Sequence, residues 1–292
     1  MEKVVFIVNP ISGGKDKTHI ISLIDRYIDR TRFEYETIMT RYRGHATEVA
    51  RDTDADIVVA VGGDGTVSEV AQGLAGSKKA LGIIPCGSGD GLALHMGISR
   101  NPRKAILGLN GSVIKTMDYG LVCGRPFFCT TGMGFDAIVG REFASSKTRG
   151  LWTYITTALR TWIHFQPEHY TVEADGEKWS GRAAMITVGN VNQWGNNAKI
   201  TPNASAADGL FDITIVEPFR TWEIPGLAFM LLTGKADKSG RTVCLRGANV
   251  NIHREKPGVI HYDGDPCEEG EELEIRMVPG SLRITVPTNK AI

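Results

Sequence analysis

The chain of 292 residues carries no excess of either charge, since Lys+Arg and Asp+Glu both number 33. A nucleic-acid binder advertises itself by a basic field, so that class is excluded as a leading reading. Any attraction to an anionic membrane must come from a local patch. Cysteine is scarce: Cys86, Cys123, Cys129, Cys244 and Cys267 are odd in number, scattered, and form no Cys-x-x-Cys pair. This argues against a disulfide framework or a zinc site and for a reducing compartment. Long apolar runs are missing too, the stretch 225–232 falling well short of the roughly 18 residues a spanning helix needs. Near the start, the five apolar residues 4–8 run straight into Asn9-Pro10, which reads as a first strand and not as a signal-peptide core. The expectation is a soluble, cytoplasmic protein, in which the sequon Asn203-Ala204-Ser205 has no glycosylation role. Two phosphate-binding signatures are absent as well. There is no Gly-x-x-x-x-Gly-Lys-Ser/Thr, and no Gly-x-Gly-x-x-Gly after the first strand.

What is present is enough apolar substance for a sizeable core, arranged in two textures. Hydrophobic residues make up 42% of the chain and charged residues 23%, and the length suits one large domain or two ordinary ones. Up to about residue 120, strands at 4–8, 33–39, 57–61 and 81–85 alternate with helices at 18–30, 45–51, 67–74 and 91–96. Such βα units predict a mostly parallel, doubly wound α/β sheet, whose ligands gather beyond the carboxyl ends of the strands. Past residue 120, short alternating segments take over at 126–131, 169–174, 183–189, 211–216, 250–253, 273–277 and 282–286. With turn signals at Asp175-Gly176, Asp208-Gly209 and Asp263-Gly264, they predict an antiparallel β domain. Helices at about 152–164 and 221–232 interrupt it. The expected division is an α/β domain over 1–122, rejoined by the tail 280–292, and a β-rich domain over 123–279.

The chemistry is concentrated in glycine loops. Between residues 56 and 70 an apolar run stops at Gly62-Gly63, and Asp64, Gly65, Thr66, Val67 and Ser68 follow with helical period. The reading is buried strand, tight turn, helix. Glycines let backbone N–H groups approach an anion, and a helix N-terminus adds its positive end. An acid in that turn would repel a bare phosphate, so Asp64 implies a metal ion or a hydrogen-bonded hydroxyl as mediator. Taken alone, this loop is equally an ordinary βα bend. Three more loops share its composition and its place after a strand. They are Asn9-Pro10-Ile11-Ser12-Gly13-Gly14-Lys15, Thr40 with Gly44-His45-Ala46, and the stretch 85–91 containing Gly87 and Ser88. Several such loops on one sheet edge indicate a nucleotide phosphate site.

In order and spacing, Asn-Pro-x-Ser-Gly-Gly, Thr with Gly-His-Ala, Gly-Gly-Asp-Gly-Thr and Gly-Ser-Gly-Asp-Gly-Leu-Ala resemble one family. It is the diacylglycerol kinase catalytic-domain family, which includes sphingosine and ceramide kinases and bacterial soluble lipid kinases. The resemblance continues through 132–137, 202–212 and Asp263-Gly264, and so covers nearly the whole chain. It implies an N-terminal NAD kinase/phosphofructokinase-like α/β domain that binds ATP. It further implies a C-terminal antiparallel β-sandwich-like domain for a lipid substrate. The implied activity moves the γ-phosphoryl group of ATP to a hydroxyl of diacylglycerol or a related sphingoid lipid, with Mg²⁺, as in phospholipid biosynthesis. Carried over residue by residue, it gives nucleotide contacts to Asn9, Ser12, Gly13, Gly14, Thr40, Gly62, Gly63, Asp64, Gly65, Thr66, Val67, Ser68, Gly87 and Ser88. It gives magnesium to Asp208 with the main-chain carbonyls of Ser205 and Leu210, and catalytic roles to Asp64 and to Asp263, the proton acceptor. Those residue types suit phosphoryl transfer, which needs a nucleotide held by dipoles, neutralised charge, and a carboxylate for the acceptor's proton.

Plainer readings stand beside these. Asp-Gly is the commonest hairpin signal, so Asp263-Gly264 and Asp208-Gly209 are also simple turns, and Asp265 competes for the base role. Asp136 suits a helix cap as well as a site, and Glu69 pairs with a cation on its own helix or approaches the metal. Ser68 and Asp90 stand where the family commonly has Asn; Asp90 suits an N-cap for the helix through Leu92 and His95. The Gly-Ser-Gly form of that loop hints at sphingoid acceptors. For access to lipid, the stretch 151–163 carries Trp152, Tyr154 and Trp162 behind Lys147 and Arg149. It reads either as an interfacial helix making transient membrane-surface contact or as an amphipathic helix covering the core. The expected protein is a cytoplasmic lipid kinase, peripheral to the membrane, with no nucleic-acid partner and a dimer left open. Its alternatives are an NAD-kinase-like enzyme with a soluble substrate and a non-catalytic nucleotide- or lipid-sensing module.

Overall fold

The computed structural model describes residues 1–11, 17–145 and 151–290. The chain divides into two compact units, one formed by residues 1–118 with the chain from 279 onward, the other by residues 119–278. The first unit contains β1 (Glu2–Val8), α1 (Thr18–Tyr27), β2 (Phe33–Met39), α2 (His45–Asp52), β3 (Ile57–Gly62) and α3 (Asp64–Leu74). It continues through β4 (Ala80–Pro85), α4 (Gly91–His95) and α5 (Pro102–Asn110). Its strands pair in parallel in the order β2-β1-β3-β4, with Val4 of β1 opposite Tyr35 on one side and Ile57 on the other. Every residue of β3 is buried, as a parallel strand covered on both faces requires. Val4, Phe6 and Val59 pack against Ile20 and Ile24 of α1 and Ile106 of α5. The alternate residues Val5, Ile7 and Val58, also buried, point to the other face, where α2 and α3 pack together and contact β1 and β3. The sheet is doubly wound. Because β2 and β3 flank β1 on opposite sides, the winding reverses between β1 and β3. Ligands of such sheets bind beyond the carboxyl ends at that reversal.

The chain leaves the first unit along β5 (Ser112–Val122) and continues through β6 (Arg125–Phe127), β7 (Thr130–Gly134), α6 (Phe135–Ser145), α7 (Leu151–His164), β8 (Glu168–Ala174) and β9 (Glu177–Ala183). Then come β10 (Met185–Gly189), β11 (Phe211–Val216), α8 (Ile224–Thr233), β12 (Thr242–Gly247), β13 (Asn249–Arg254), β14 (Gly258–Tyr262), β15 (Asp265–Glu269) and β16 (Glu272–Pro287). One antiparallel sheet runs β12-β11-β10-β7-β14-β15. Opposing it in the second unit, the start of β16 pairs with β13, β13 with β8, and β8 with β9, all antiparallel. Met133, Ile186, Phe211 and Ile213 from the first sheet share one core with Val172, Val250, Ile252 and Ile275 from the second. This is a sandwich.

Several elements differ from expectation, among them three whose causes are plain. The helix of the first βα unit stops at Tyr27, because Ile28 turns extended (φ −67°, ψ 138°) while staying buried, so the apolar period outruns the helix. The strand expected at 126–131 breaks into β6 and β7. The two strands expected at 273–277 and 282–286 are one, β16, whose Arg283 and Ile284 pair in parallel with Ala80 and Leu81 of β4. Among the described residues no helix is long and apolar enough to cross a membrane.

Candidate active site

The loops after β1 and β3 meet at the reversal of the first sheet. Asn9 donates its main-chain N–H to the Val61 carbonyl at 3.1 Å and its side-chain amide to Thr66 Oγ1 at 3.1 Å. Thr40 joins the same edge, its N–H reaching the Val8 carbonyl at 2.9 Å. Gly62 has no room for a side chain: a Cβ there would lie 2.4 Å from Thr66 Oγ1. The N-cap of α3 is Gly63, which has no side chain with which to cap the first turn, and a helix start of this kind suits an anion. Gly65 is exposed there and Thr66 is buried.

Asp64 binds this loop to the next one. Its carboxylate accepts the main-chain N–H of Asp90 at 2.9 Å and of Gly91 at 2.8 Å, at the start of α4. Gly87 packs so close that a Cβ would sit 2.6 Å from Gly63 Cα. Asp90 is buried in a left-handed conformation (φ 54°) and does not cap α4 through its side chain. Its carboxylate instead turns back to the Gly87 N–H at 2.9 Å and pairs with Arg100 Nε at 3.1 Å. Burial, and then the Asp64 charge, push Asp90 above the usual carboxylate range, against the pull of the Gly87 amide and Arg100. Arg100 also donates to the Ser88 carbonyl at 2.9 Å, leaving Ser88 exposed at the loop tip. Glu69 accepts the Gly44 N–H at 3.0 Å and so ties the Thr40–Ala46 loop to α3. The assigned Ser12, Gly13 and Gly14 lie outside the described residues, as do Lys147, Arg149 and the side chains of Trp152 and Tyr154.

In the second unit, Asp263 and Gly264 form the two-residue turn between β14 and β15, both with positive φ (49° and 87°). The plain hairpin reading is therefore correct as far as it goes. The side chain does more. Its carboxylate accepts the main-chain N–H groups of Phe128 (2.8 Å), Cys129 (2.7 Å) and Thr130 (3.2 Å). Those amides lie where the chain passes from β6 to β7, and their engagement is what breaks the expected strand. Burial pushes Asp263 up to about 6, although the three amides and His261 pull the other way. The Asp175-Gly176 turn makes the contrast. It has the same left-handed pair (φ 44° and 95°) and a carboxylate holding the N–H groups of Ala248 and Asn249 at 2.6 and 3.1 Å. Yet Asp175 is held below the usual range, by the Ala248 amide first. The difference is burial.

The hairpin carrying Asp263 is clamped at its far end by Arg254, a buried guanidinium that donates to the carbonyls of Gly258 (2.8 Å), Glu269 (2.7 Å) and Gly270 (2.9 Å). Near the turn, buried His261 accepts the Gly264 N–H on Nδ1 at 3.4 Å and meets Asp136 Oδ2 through Nε2 at 3.2 Å. Thr187 Oγ1 donates to the same oxygen at 3.3 Å. Asp136 lies inside the first turn of α6, which begins at Phe135, and so is not the cap that the sequence suggested; its carboxylate instead holds the residue two before Asp263.

The assigned magnesium residues fare differently. Asp208 Oδ1 accepts the Leu210 N–H at 3.1 Å, and Oδ2 is paired with Arg246 at 2.5 Å. Arg246 also lies 3.4 Å from Asp212, whose carboxyl burial pushes upward. A guanidinium already offsets the charge that would attract a divalent ion. Among the described residues no three His, Cys, Asp or Glu side chains converge as a metal cluster. The donor set as it stands does not fit a resident Mg²⁺.

Residues 3–122 match the diacylglycerol kinase catalytic domain, and residues 129–286 match the YegS C-terminal NAD kinase beta sandwich-like domain. The second match spans more than half of the chain. The chain belongs to the family carrying that sandwich domain, here behind a diacylglycerol kinase catalytic domain. It is thereby a kinase. It is 28% identical over 277 residues to a diacylglycerol kinase of Bacillus subtilis (strain 168), covering 91% of this chain and 90% of that one. A crystal structure described as a diacylglycerol kinase from Bacillus anthracis str. Sterne superposes with TM-score 0.78 at 20% identity, over 100% of this chain and 98% of that one. An NAD kinase from Archaeoglobus fulgidus in complex with ATP shares the fold more distantly, at TM-score 0.51 and 12% identity, over 98% and 94% of the two chains. These structures show the fold, doubly wound α/β followed by an antiparallel sandwich, as expected.

For a member of this family, the sequence reading missed Arg100 and the pair Asp136–His261. Arg100 gives no local signal, since it reaches its loop from beyond α4. His261 sits two residues before Asp263 in β14, whose central residues are all buried, and nothing near it in the chain signals its pairing with residue 136.

Proposed function

We propose that this member of the family is an ATP-dependent lipid kinase, moving the γ-phosphoryl group to a hydroxyl of diacylglycerol or a related sphingoid lipid. The observation that carries the reading is Asp263, an Asp-Gly turn residue lifted by burial to about 6, where its twin turn residue Asp175 is lowered. Perturbation of that kind marks a group tuned for proton transfer. At pH 7 Asp263 is mostly ionised, so it can accept the proton of an acceptor hydroxyl as the new O–P bond forms. The β–γ bridging P–O bond breaks and ADP leaves with the electron pair.

The first unit supports the nucleotide half of the proposal. The amides at the start of α3, the Asn9–Thr66 contact and the Gly87–Ser88 loop supply the fixed dipoles that phosphates need. Asp64 serves that cradle by fixing the amides of Asp90 and Gly91. Magnesium enters as part of the substrate, the metal complex of ATP, and neutralises phosphate charge there. The lipid acceptor is supported by the B. subtilis relative named diacylglycerol kinase. A soluble-substrate reading is favoured only by the fold shared with the A. fulgidus NAD kinase. Diacylglycerol, sphingosine and NAD, offered separately with ATP, decide between them. ADP release with either lipid and none with NAD is the expected result; the reverse would sink the lipid reading.

A further inference from the structure

Helix α8 reads Ile-Pro-Gly-Leu-Ala-Phe-Met-Leu-Leu-Thr, without one charged residue, and none of its residues is buried. A helix that is apolar all round belongs in a core or in lipid, and this one is in neither. Phe229 is 64% exposed and Leu232 61%, and just before the helix Trp222 is 70% exposed. On α7, Leu159 (52%) and Ile163 (75%) stand one turn apart on the same face. The two elements are joined. Trp162 of α7 stacks on Phe219 with ring centroids 4.4 Å apart and donates Nε1 to Thr221 Oγ1 at 3.1 Å. The body of the second unit anchors α8 from behind, through Leu231 packed on Ile200 and Val216 and through the Lys199 N–H to the Leu231 carbonyl at 2.9 Å.

The rim of this apolar surface is cationic although the whole chain is neutral. Arg220 lies over the Trp222 ring at 4.8 Å, Arg160 follows Leu159 on α7, and exposed Lys235 and Lys238 follow α8. Of the nearby acids, Glu223 is paired with Arg241 at 2.9 Å and Asp237 accepts from Asn203 at 3.2 Å. Large apolar side chains, a tryptophan at the boundary and basic residues around them form the pattern of a helix lying in a bilayer interface. We propose that α8, with Trp222 and the Leu159–Ile163 face of α7, is the surface by which this protein docks on an anionic lipid bilayer. The sequence alone placed such contact on the α7 segment; the exposed surface centres on α8. The purpose of the docking rests on the lipid-acceptor reading, but the docking itself does not.

The test is co-sedimentation with phosphatidylcholine vesicles containing about one-third phosphatidylglycerol, without ATP. The wild-type chain should bind these, bind pure phosphatidylcholine less, and be released by salt. Burying a large side chain in the interface is worth about tenfold or more in partitioning. Trp222→Ala with Phe229→Asp should therefore lower vesicle binding by more than tenfold, with the melting temperature kept because both side chains are exposed. Leu232→Ser gives a milder version should that pair fail to fold. Arg220→Gln with Lys235→Gln should remove the preference for anionic vesicles. Activity on a water-soluble short-chain diacylglycerol should survive all of these changes. Equal vesicle binding by wild type and variants would overturn the proposal. So would wild-type self-association in sedimentation velocity that Phe229→Asp abolishes, which would make α8 a contact between copies. Vesicle binding by a protein that phosphorylates no lipid would count only against the acceptor reading.

Discussion

Asp263 collects three main-chain N–H groups, which would ordinarily pull a carboxylate down, and is still lifted to about 6 because burial outweighs them. Two consequences follow at the scale of this residue. Asp263→Asn keeps the turn's shape but cannot take a proton, so turnover should fall by about 10²–10⁴-fold, the usual worth of a general base. The variant also turns one accepting oxygen into a donor facing a main-chain N–H, so it should melt lower while its circular dichroism spectrum stays that of the folded wild type; near-normal turnover would remove Asp263 from the role. The second consequence is a pH dependence. The folded value lies above the unfolded one, so the fold favours the protonated form. The group's contribution to stability is complete below about pH 4 and is lost as pH rises through about 6. Urea unfolding between those values should show wild type losing stability that Asp263→Asn does not lose. Activity needs the opposite, ionised form, so kcat/KM should fall on the acid side of about 6.

Elements bring these groups together, and it is at this scale that the sequence was least complete. Asp64 is legible from its Gly-Gly-Asp-Gly-Thr setting, yet its partners at Asp90 and Gly91 come from another βα unit and leave no mark in its own. Asp64→Asn would turn one acceptor oxygen into a donor facing an amide N–H. The variant should lose ATP-dependent turnover and melt lower; calorimetry showing unchanged ATP binding would contradict the nucleotide cradle. Gly87→Ala places a Cβ 2.6 Å from Gly63 Cα and should cost about 1–3 kcal/mol of stability, the range for overpacking, with a raised KM for ATP. A wild-type melting temperature in that variant would mean the two loops are not packed as described. The break between β6 and β7 was illegible for the same reason, because its cause is a carboxylate far along the chain. By contrast, α5 was legible and went unread. Asn101 caps it by accepting the Lys104 N–H at 3.1 Å, and Pro102 opens it, both local signals.

Across the whole molecule, the two textures of the sequence foretold the two kinds of fold, α/β and antiparallel β, because apolar period is set by which faces a strand or helix buries and that is written locally. The fully buried β3 and the alternating β8 show the two patterns side by side. What composition concealed is the uneven placement of charge and apolar surface. A chain of net zero charge still gathers Arg160, Arg220, Lys235 and Lys238 around an unburied apolar helix, and it meets the charge of Asp208 with Arg246. We propose that ATP's terminal phosphoryl group passes to a lipid hydroxyl with Asp263 as base. It is tested most directly by incubating wild type and Asp263→Asn with γ-³²P-labelled ATP and a mixed lipid extract, then counting the organic phase and identifying the labelled product. Label is expected in a single class of lipid phosphate with wild type, and only a small fraction of it with Asp263→Asn. An unlabelled organic phase with folded, ATP-binding wild type, or equal labelling by the two proteins, would contradict it.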